Sequence, residues 1–527
     1  MSITKMTSAG EKGQIAKKAS VVGGSTLLSR LAGLARDQVT SYFFGTVGPI
    51  EAFVVAFRIP NLFRRLLAEG AFTAAFVPVF TAALAEGGQP AAAALFKKVF
   101  TLLALALAAL SLAGVIFAPA IVSLMAPGFR ADPEQFRLTV FLARLLFPYI
   151  FFMGLGALFM GALNSCGYFA APALGPFMGN LAMIGGTALL FHRLDMPIMG
   201  LAIGAMAGGL MQLAIQLPGL RRAGLKLRPD FNFRAPGVKK ILLLMGPATL
   251  GAAVYQVSIF INTILASYLP DGSLPFLYYA DRLMQFPLGV FSVALGVAAL
   301  PTLARQSALG DRAGFIDSAR FALGLSFFIT IPAAMGLTVM ALPLVTFLFQ
   351  RGNFTELSSL GTAVALQAFV LGLPFLSGSG LLARVFYSRS DTRTPTRVAM
   401  GSLATGAGAA FILMWPLQHM GLALASSIAS VVNFFWLYGK LLAGEAEFPH
   451  RDFLCEVLSY VLLAAVMGLA VWPLRAWAMN SGSFVLLAAK TLASVGVGVL
   501  LYFGLSLATK RPHAVSVLNL LRRRFKK

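Results

Sequence analysis

The chain has 527 residues, of which 58% are hydrophobic and only 12% are charged, and its formal net charge is +23. This composition excludes an ordinary soluble domain and is typical of a protein that crosses the membrane many times. The basic excess does not indicate nucleic-acid binding, because the lysines and arginines cluster in alternate loops between apolar stretches, as the positive-inside rule requires.

Apolar stretches long enough to cross a bilayer recur from one end of the chain to the other, and we count about 14 of them. In chain order they cover residues 17–42, 49–84, 99–126, 137–164, 171–191, 198–220, 241–268, 275–303, 321–349, 359–387, 398–416, 420–441, 454–478 and 483–508. An even number of spans places both termini on one side of the membrane. The basic clusters predict that this side is the cytoplasm.

The sequence also resembles itself, which indicates an internal duplication. The tetrapeptide MGLA occurs at 199–202 and again at 420–423, and prolines recur in the same order at nearly the same spacing: Pro78 with Pro301, Pro148 with Pro374, and Pro172 with Pro395. Each copy holds about six spans, so both copies enter the membrane in the same direction, as in transporters that bind their substrate between two halves. We therefore predict two parallel six-helix lobes, 1–220 and 221–445, followed by two extra helices and a basic tail at 446–527.

Charged side chains are concentrated in the first two spans, although a charge at the bilayer centre costs about 2.5–3.5 kcal/mol on insertion scales. They are Arg30, Arg36, Asp37, Glu51, Arg58, Arg64, Arg65 and Glu69. Cations outnumber acids in this set, so pairing within it cannot neutralise every arginine. The pattern predicts a polar cavity within the membrane that receives an anion.

Simpler interpretations stay open for part of this set. The pair Arg36–Asp37 would also suit the end of the first helix at a membrane interface, where arginine extends toward water. Glu69 follows Arg65 by four residues, which would also suit a salt bridge along one helix. Two single cations in later spans, Arg144 and Arg384, fit a cavity and a helix end equally well.

The eighth span carries Asp281 and Arg282, which the internal repeat aligns near the arginines of the second span. We predict that Arg282 faces the same cavity from the other lobe, with Asp281 as its partner. Arginine suits such a site because its planar fork binds two phosphate oxygens and stays charged when buried. The predicted anion site comprises Arg30, Arg36, Arg58, Arg64 and Arg282, and the predicted charge-balancing acids are Asp37, Glu51, Glu69 and Asp281.

No pattern for nucleotide, metal or cofactor binding accompanies these residues in the sequence. There is no GxxxxGK[ST] phosphate-binding loop, and the two cysteines and four histidines lack metal-ligand spacing. A membrane enzyme acting on prenyl diphosphates would need acidic metal-binding clusters, which the predicted spans lack. We therefore expect no cofactor and no metal, and a transporter rather than an enzyme.

A set of longer motifs distinguishes the chain further. They are SRLAGLARD at 29–37, FRIPNLFRRLLAEGAFTAAFVP at 57–78, GPATL at 246–250, YYADRLMQFPLGV at 278–290 and FYSRSDTRTP at 386–395. Together they resemble the MurJ (MviN) family of lipid II flippases, which belongs to the MOP transporter superfamily. The resemblance implies two six-helix lobes around a V-shaped central cavity, and a groove for a lipid tail in the last two helices.

The same resemblance implies a function. It implies movement of lipid II, an undecaprenyl-diphosphate-linked disaccharide-pentapeptide, from the inner to the outer leaflet of the bacterial cytoplasmic (inner) membrane by alternating access. The partners it implies are lipid II, membrane lipids and, as a further expectation, the cell-wall synthesis machinery, with no nucleic acid. The alternative is a MOP-superfamily exporter of another lipid-linked oligosaccharide or of amphiphilic drugs.

By motif, the functional arginines of that family correspond to Arg30, Arg36, Arg64 and Arg282. Arg58 stands where relatives often have lysine. All five positions of the predicted anion site therefore match positions that the resemblance marks as functional or as cationic.

The chain departs from the family at some acidic positions. Glu51 stands where aspartate is common, and Gln285 stands where an acid is common, which leaves Asp281 and Glu51 to balance the cavity charge. Some relatives bind sodium through carboxylates in the seventh and eleventh spans. Because 241–268 and 398–416 contain no Asp or Glu, we predict no sodium site of that kind.

Overall fold

The computed structural model describes residues 3–63, 72–445 and 447–525. Within these ranges the regular secondary structure is helical and includes no β-strand, which confirms the predicted all-α class. The chain divides into two compact units, Met1–Tyr268 and Leu269–Lys527. Each unit has its own apolar core.

The first unit is built from helices that pack mainly on their apolar faces. They are α1 (Ile3–Phe44), α2 (Pro49–Phe63), α3 (Phe72–Ile116), α4 (Ala118–Met125), α5 (Pro133–Leu146), α6 (Tyr149–Ser165), α7 (Ala170–Leu190), α8 (Ile198–Ala214), α9 (Leu217–Arg222) and α10 (Pro236–Ala266). Large aromatic side chains such as Phe76, Phe80 and Phe96 are fully buried in its core. Asp132 caps α5 by accepting hydrogen bonds from the backbone N–H groups of Glu134 and Gln135.

Helices α7 and α8 approach each other through glycines. A Cβ on Gly186 would lie 2.6 Å from the carbonyl oxygen of Gly200 and from the Cα of Gly204, and one on Gly208 would lie 2.9 Å from the carbonyl of Gly179. Small residues at such contacts let membrane helices pack backbone against backbone. This pairing positions α7 beside α1, which carries Arg36.

Helix α10 packs with the first unit, although the internal repeat assigns its sequence to the second lobe. It lies against α3, and the backbone N–H of Gly128 donates a hydrogen bond to the hydroxyl of Ser267 at 3.1 Å. The compact unit therefore extends to Tyr268, whereas the lobe boundary near residue 220 stays a prediction from the repeat.

The second unit repeats the pattern of helices joined by short connections. Its helices are α11 (Ser273–Pro287), α12 (Val293–Ala308), α13 (Arg312–Val339), α14 (Ala341–Phe349), α15 (Glu356–Val370), α16 (Leu373–Tyr387), α17 (Arg393–Gly444), α18 (His450–Met479), α19 (Phe484–Ala508) and α20 (Pro512–Phe525). A π-helical segment, Leu288–Ser292, joins α11 to α12. The core includes Phe327, Phe434 and Tyr460.

A buried carboxylate links three segments of the second unit, which are the end of α17, the start of α13 and the turn after α16. Glu445, which ends α17, is 5% exposed and accepts hydrogen bonds from Arg312 at 2.8 Å and from Arg389. Desolvation by burial raises its pKa, but the two arginines outweigh that effect, so the pKa of the Glu445 carboxyl lies below its ordinary value. The Arg389 guanidinium also lies 4.0 Å from the centre of the Phe315 ring.

Eight helices in the described part of the chain are long and apolar enough to cross a membrane, or nine if α15 and α16, bent by 43°, form one span. This count does not confirm the predicted 14 spans. Two of the long helices, α3 with 45 residues and α17 with 52, contain non-helical backbone at Gly88 and Gln418. At 1.5 Å per residue they would extend about 68 and 78 Å, far beyond the roughly 30 Å hydrocarbon core. Helix α17 contains the predicted spans 398–416 and 420–441, whereas α3 contains the end of 49–84 and most of 99–126.

Candidate anion-binding site

Arg36 is the centre of the site in the first unit. Its side chain is 11% exposed and that of Asp37 is 4% exposed. The Asp37 carboxylate accepts hydrogen bonds from Nη2 of Arg36 at 2.6 Å and from Nε at 3.1 Å. Helix α1 continues to Phe44, so this pair does not stand at the end of its helix.

A second polar side chain holds the same guanidinium. Asn180 of α7 accepts a hydrogen bond from Nη1 of Arg36 at 3.1 Å, and its amide nitrogen donates to the carbonyl of Ser29 at 3.2 Å. Arginine only donates and a carbonyl only accepts, so the orientation of the Asn180 amide follows from its partners. Gly33 lies between these contacts in the sequence, and a Cβ there would make an ordinary contact with the Asn180 amide at 3.6 Å.

Arg58 and Glu51 lie on α2. Arg58 is partly buried, and its Nη1 donates to the hydroxyl of Thr263 in α10 at 2.7 Å. Glu51 is 3% exposed and lies in the first turn of its helix, where a carboxylate is favoured by the helix dipole. Arg30, on α1, is exposed.

In the second unit, Arg282 is exposed on α11 and its guanidinium lies 5.6 Å from the centre of the Tyr278 ring. Asp281 is partly buried and accepts a hydrogen bond from Gln285, one turn along the helix. The glutamine that replaces a commonly acidic residue therefore contacts Asp281. Of the remaining predicted residues, Arg64 and Glu69 lie outside the described part of the chain, as does Arg65.

The two single cations differ in their surroundings. Arg144 is exposed in the last turn of α5. Arg384 is partly buried and packs directly on the backbone at Gly296, where a Cβ would lie 1.8 Å from its Nη1. Arg384 is thus a packed side chain of the second unit, whereas Arg144 has the surroundings of a helix-end cation.

Sequence reasoning missed Asn180 and Thr263, the partners of Arg36 and Arg58. The signal available for them was a polar residue in an apolar span, because such residues commonly make hydrogen bonds between membrane helices. Among the described residues, no group of three or more His, Cys, Asp or Glu side chains could hold a metal ion. Arg36 and Arg58, which these two partners hold in place, are cations suited to bind an anion.

Two solved structures of membrane transporters share this fold. An inward-facing multidrug resistance transporter of the MATE family and MOP superfamily matches with a TM-score of 0.66 at 16% identity, covering 81% of this chain and 99% of that one. A eukaryotic MATE transporter, AtDTX14, matches with a TM-score of 0.57 at 15% identity, covering 85% and 98%. At such identities the likeness shows the fold alone, a helical fold that this chain shares with both of those proteins.

Closer matches define the family. A solved structure described as lipid II flippase MurJ in an inward closed conformation has a TM-score of 0.78 and 25% identity, covering 93% of this chain and 98% of that one. The family model for lipid II flippase MurJ matches residues 40–492. A lipid II flippase MurJ of Burkholderia cenocepacia is 37% identical over 79% of this chain and 82% of its own length, and a probable lipid II flippase MurJ of Vibrio cholerae is 34% identical over 94% and 96%. The chain belongs to the MurJ family, which confirms the resemblance found in its motifs.

Proposed function

We propose that this protein is a lipid II flippase, which moves the undecaprenyl-diphosphate-linked peptidoglycan precursor across the cytoplasmic membrane by alternating access. The observation that carries the proposal is a buried arginine, Arg36, held by Asp37 and Asn180 in a member of this family. A diphosphate is the part of lipid II that an arginine fork recognises. Transport requires the diphosphate to dissociate again after it binds. Asp37 supports its release, because its carboxylate competes for the same guanidinium.

The proposed diphosphate site extends beyond Arg36. Arg30, Arg58 and Arg64 in the first lobe and Arg282 in the second would contribute positive charge as the lobes exchange conformations. Asp37, Glu51, Glu69 and Asp281 would balance that charge when no substrate is bound. Glu51 and Asp37 are buried, so each favours a nearby cation.

The lipid tail would stay in the membrane beside the two C-terminal helices. Large apolar side chains on α18 and α19 support this placement, because Leu469, Val485 and Leu500 are each more than 70% exposed. The protein is a multi-pass membrane protein, and we propose that both termini face the cytoplasm, as the basic loops predict. A contact with the cell-wall synthesis machinery is a further part of the proposal.

The test is the exposure of lipid II on the outer leaflet in cells depleted of their own flippase. We expect this chain to restore exposure and Arg36→Ala to fail, because the variant loses the buried cation that contacts the diphosphate. Arg144→Ala is the matched control, since it removes an exposed arginine at the end of α5, and it should restore exposure.

Two results would contradict the proposal at different points. If the chain reaches the membrane and lipid II exposure is not restored, the cargo is another lipid-linked oligosaccharide or an amphiphilic drug. If Arg36→Ala transports as well as the parent chain, the cargo is unchanged but the anion site is wrong.

A further inference from the structure

A hydrogen-bonded cluster away from the anion site joins the start of α20 to the body of the second unit. His513, the second residue of α20, is 3% exposed. Its Nδ1 lies 2.7 Å from the hydroxyl of Tyr460 and 2.8 Å from Oε1 of Glu456, while its Nε2 lies 3.0 Å from the carbonyl oxygen of Phe321. Residue 324 must be small here, since a Cβ on Gly324 would lie 2.5 Å from Cε1 of the imidazole.

The contacts of the ring determine how many protons it needs. A carbonyl only accepts, so Nε2 carries a proton. On the other side, Nδ1, the Tyr460 hydroxyl and Oε1 of Glu456 form a triangle, whose third contact, from the hydroxyl to Oε1, is 2.5 Å long. When the imidazole is charged, both Nδ1 and the Tyr460 hydroxyl carry a proton, and each donates a hydrogen bond within the triangle. When the imidazole is neutral, the hydroxyl proton is the one proton left in the triangle. Nδ1 and Oε1 of Glu456 then face each other with lone pairs and no hydrogen between them, which is costly for buried groups.

Other charged groups surround the triangle. From α13, Arg320 lies 3.7 Å from Oε2 of Glu456. Arg511, just before α20, interacts electrostatically with Tyr460 and with Tyr502 of α19. Arg320 and Arg511 disfavour a charged imidazole, whereas Glu456 favours it.

A cavity adjoins the cluster. Its volume is about 620 Å³, and its lining includes Thr302, Asp317 and Arg320 beside Glu456 and His513. Its lining combines these charged and hydroxyl side chains with apolar ones, and it is large enough to hold water that can carry a proton to the ring. Asp317 adds a negative charge to this path.

We propose that the cluster is a proton-dependent latch, which holds α20 on the second unit more firmly when His513 is charged. Histidine typically changes charge between about pH 5 and 8. When the proton leaves to water in the cavity, the Tyr460 hydroxyl turns to Nδ1, and Glu456 keeps the Arg320 guanidinium as a charged partner. The first turn of α20 then loses its ion pair to α18.

The latch controls a helix that is suited to a membrane surface. The sequence of α20 ends in NLLRRRF, which combines apolar residues with three arginines. Basic amphipathic helices bind anionic lipid surfaces. Because the latch lies at the first turn of α20, the attachment of this helix to the second unit depends on pH. This dependence does not require the chain to transport lipid II.

The test is hydrogen–deuterium exchange of residues 513–519 in the purified full chain in nanodiscs at pH 6 and pH 8, corrected for intrinsic exchange. We expect these amides to be about tenfold more protected at pH 6, which corresponds to one charge-assisted hydrogen bond. His513→Gln should abolish the difference. His450→Gln is the matched control, because it removes an exposed histidine at the start of α18 and should leave the difference intact.

Glu456→Gln gives a second test that does not alter the histidine. Its amide can donate to a neutral Nδ1, so we expect α20 to stay protected at pH 8 as it is in the parent chain at pH 6. Equal protection of the parent chain at both pH values would overturn the proposal. So would a pH difference that survives in His513→Gln or in Glu456→Gln.

Discussion

At the scale of single residues, the structure explains how an arginine is kept inside an apolar helix bundle. Arg36 is buried with a carboxylate on one edge of its guanidinium and a neutral amide on another. The carboxylate compensates the charge, and the amide fixes the orientation without adding a second negative charge. An anion that binds Arg36 then competes with the Asp37 carboxylate, whereas the Asn180 amide adds no competing charge.

A substitution of Asn180 tests this division of roles. Asn180→Asp has nearly the same volume but adds a carboxylate beside Arg36, so we expect lipid II exposure to fall by about tenfold or more. Asn180→Ala removes one hydrogen bond to a charged group, worth about 1.5–3 kcal/mol, and adds no charge, so we expect a smaller loss. The measurement is the outer-leaflet exposure assay at matched membrane levels of the two variants.

The comparison of lipid II exposure between the two variants separates an electrostatic role of Asn180 from a packing role. If Asn180 served only to fill space between α1 and α7, the aspartate variant would transport normally and the alanine variant would be the weaker one. That order would contradict an electrostatic role for the neutral amide.

At the scale of helices, glycine contacts decide which elements pack closely. Gly186 faces the backbone of α8, whereas its neighbour Gly185 has no atom within 4 Å of an added Cβ. An added methyl group would therefore disturb the packing of α7 on α8 at Gly186 but not at Gly185. Because α7 also carries Asn180, the spacing of these helices influences the position of the amide that contacts Arg36.

The two adjacent glycines form a matched pair of sites. We expect Gly186→Ala to destabilise the protein by about 1–3 kcal/mol, since its Cβ would overlap backbone atoms that cannot turn away. Gly185→Ala should be neutral or slightly stabilising, because alanine is favoured over glycine in a helix by about 1 kcal/mol. Thermal unfolding of the purified variants measures the difference, and equal unfolding temperatures would show that α7 and α8 separate without cost.

At the scale of the whole molecule, the distribution of charge matters more than its total. The basic residues lie in alternate loops, which predicts that the C-terminal arginines and the loop between α12 and α13 face the cytoplasm. The two compact units each have an apolar core, so each folds around its own helices. Orientation in the membrane is a separate property, which the loops determine.

Topology reporters test the predicted orientation. A fluorescent protein fused after Lys527 should fluoresce, because it stays in the cytoplasm. Alkaline phosphatase inserted at Ser481, between α18 and α19, should be active, because one span separates that loop from the basic tail. Phosphatase activity at the C-terminus would contradict the orientation.

The sequence by itself determined the helical membrane class, the family and the candidate arginines. These properties depend on composition, on apolar length and on motifs of adjacent residues, all of which are local along the chain. Arg36 is buried and lies before the last two turns of its helix, whereas its position within a membrane span stays a prediction. The arginine cavity as a whole stays a prediction.

Only the tertiary structure decided which side chains hold those arginines. Asn180 is 144 positions from Arg36, and Thr263 is 205 positions from Arg58, so no local pattern connects them. The same holds for His513, which the sequence presents as one more histidine near a loop and which packing buries against Glu456 and Tyr460. Asparagine, threonine and histidine become partners only when helix packing brings them within hydrogen-bond distance, and packing depends on the shapes of all the helices together.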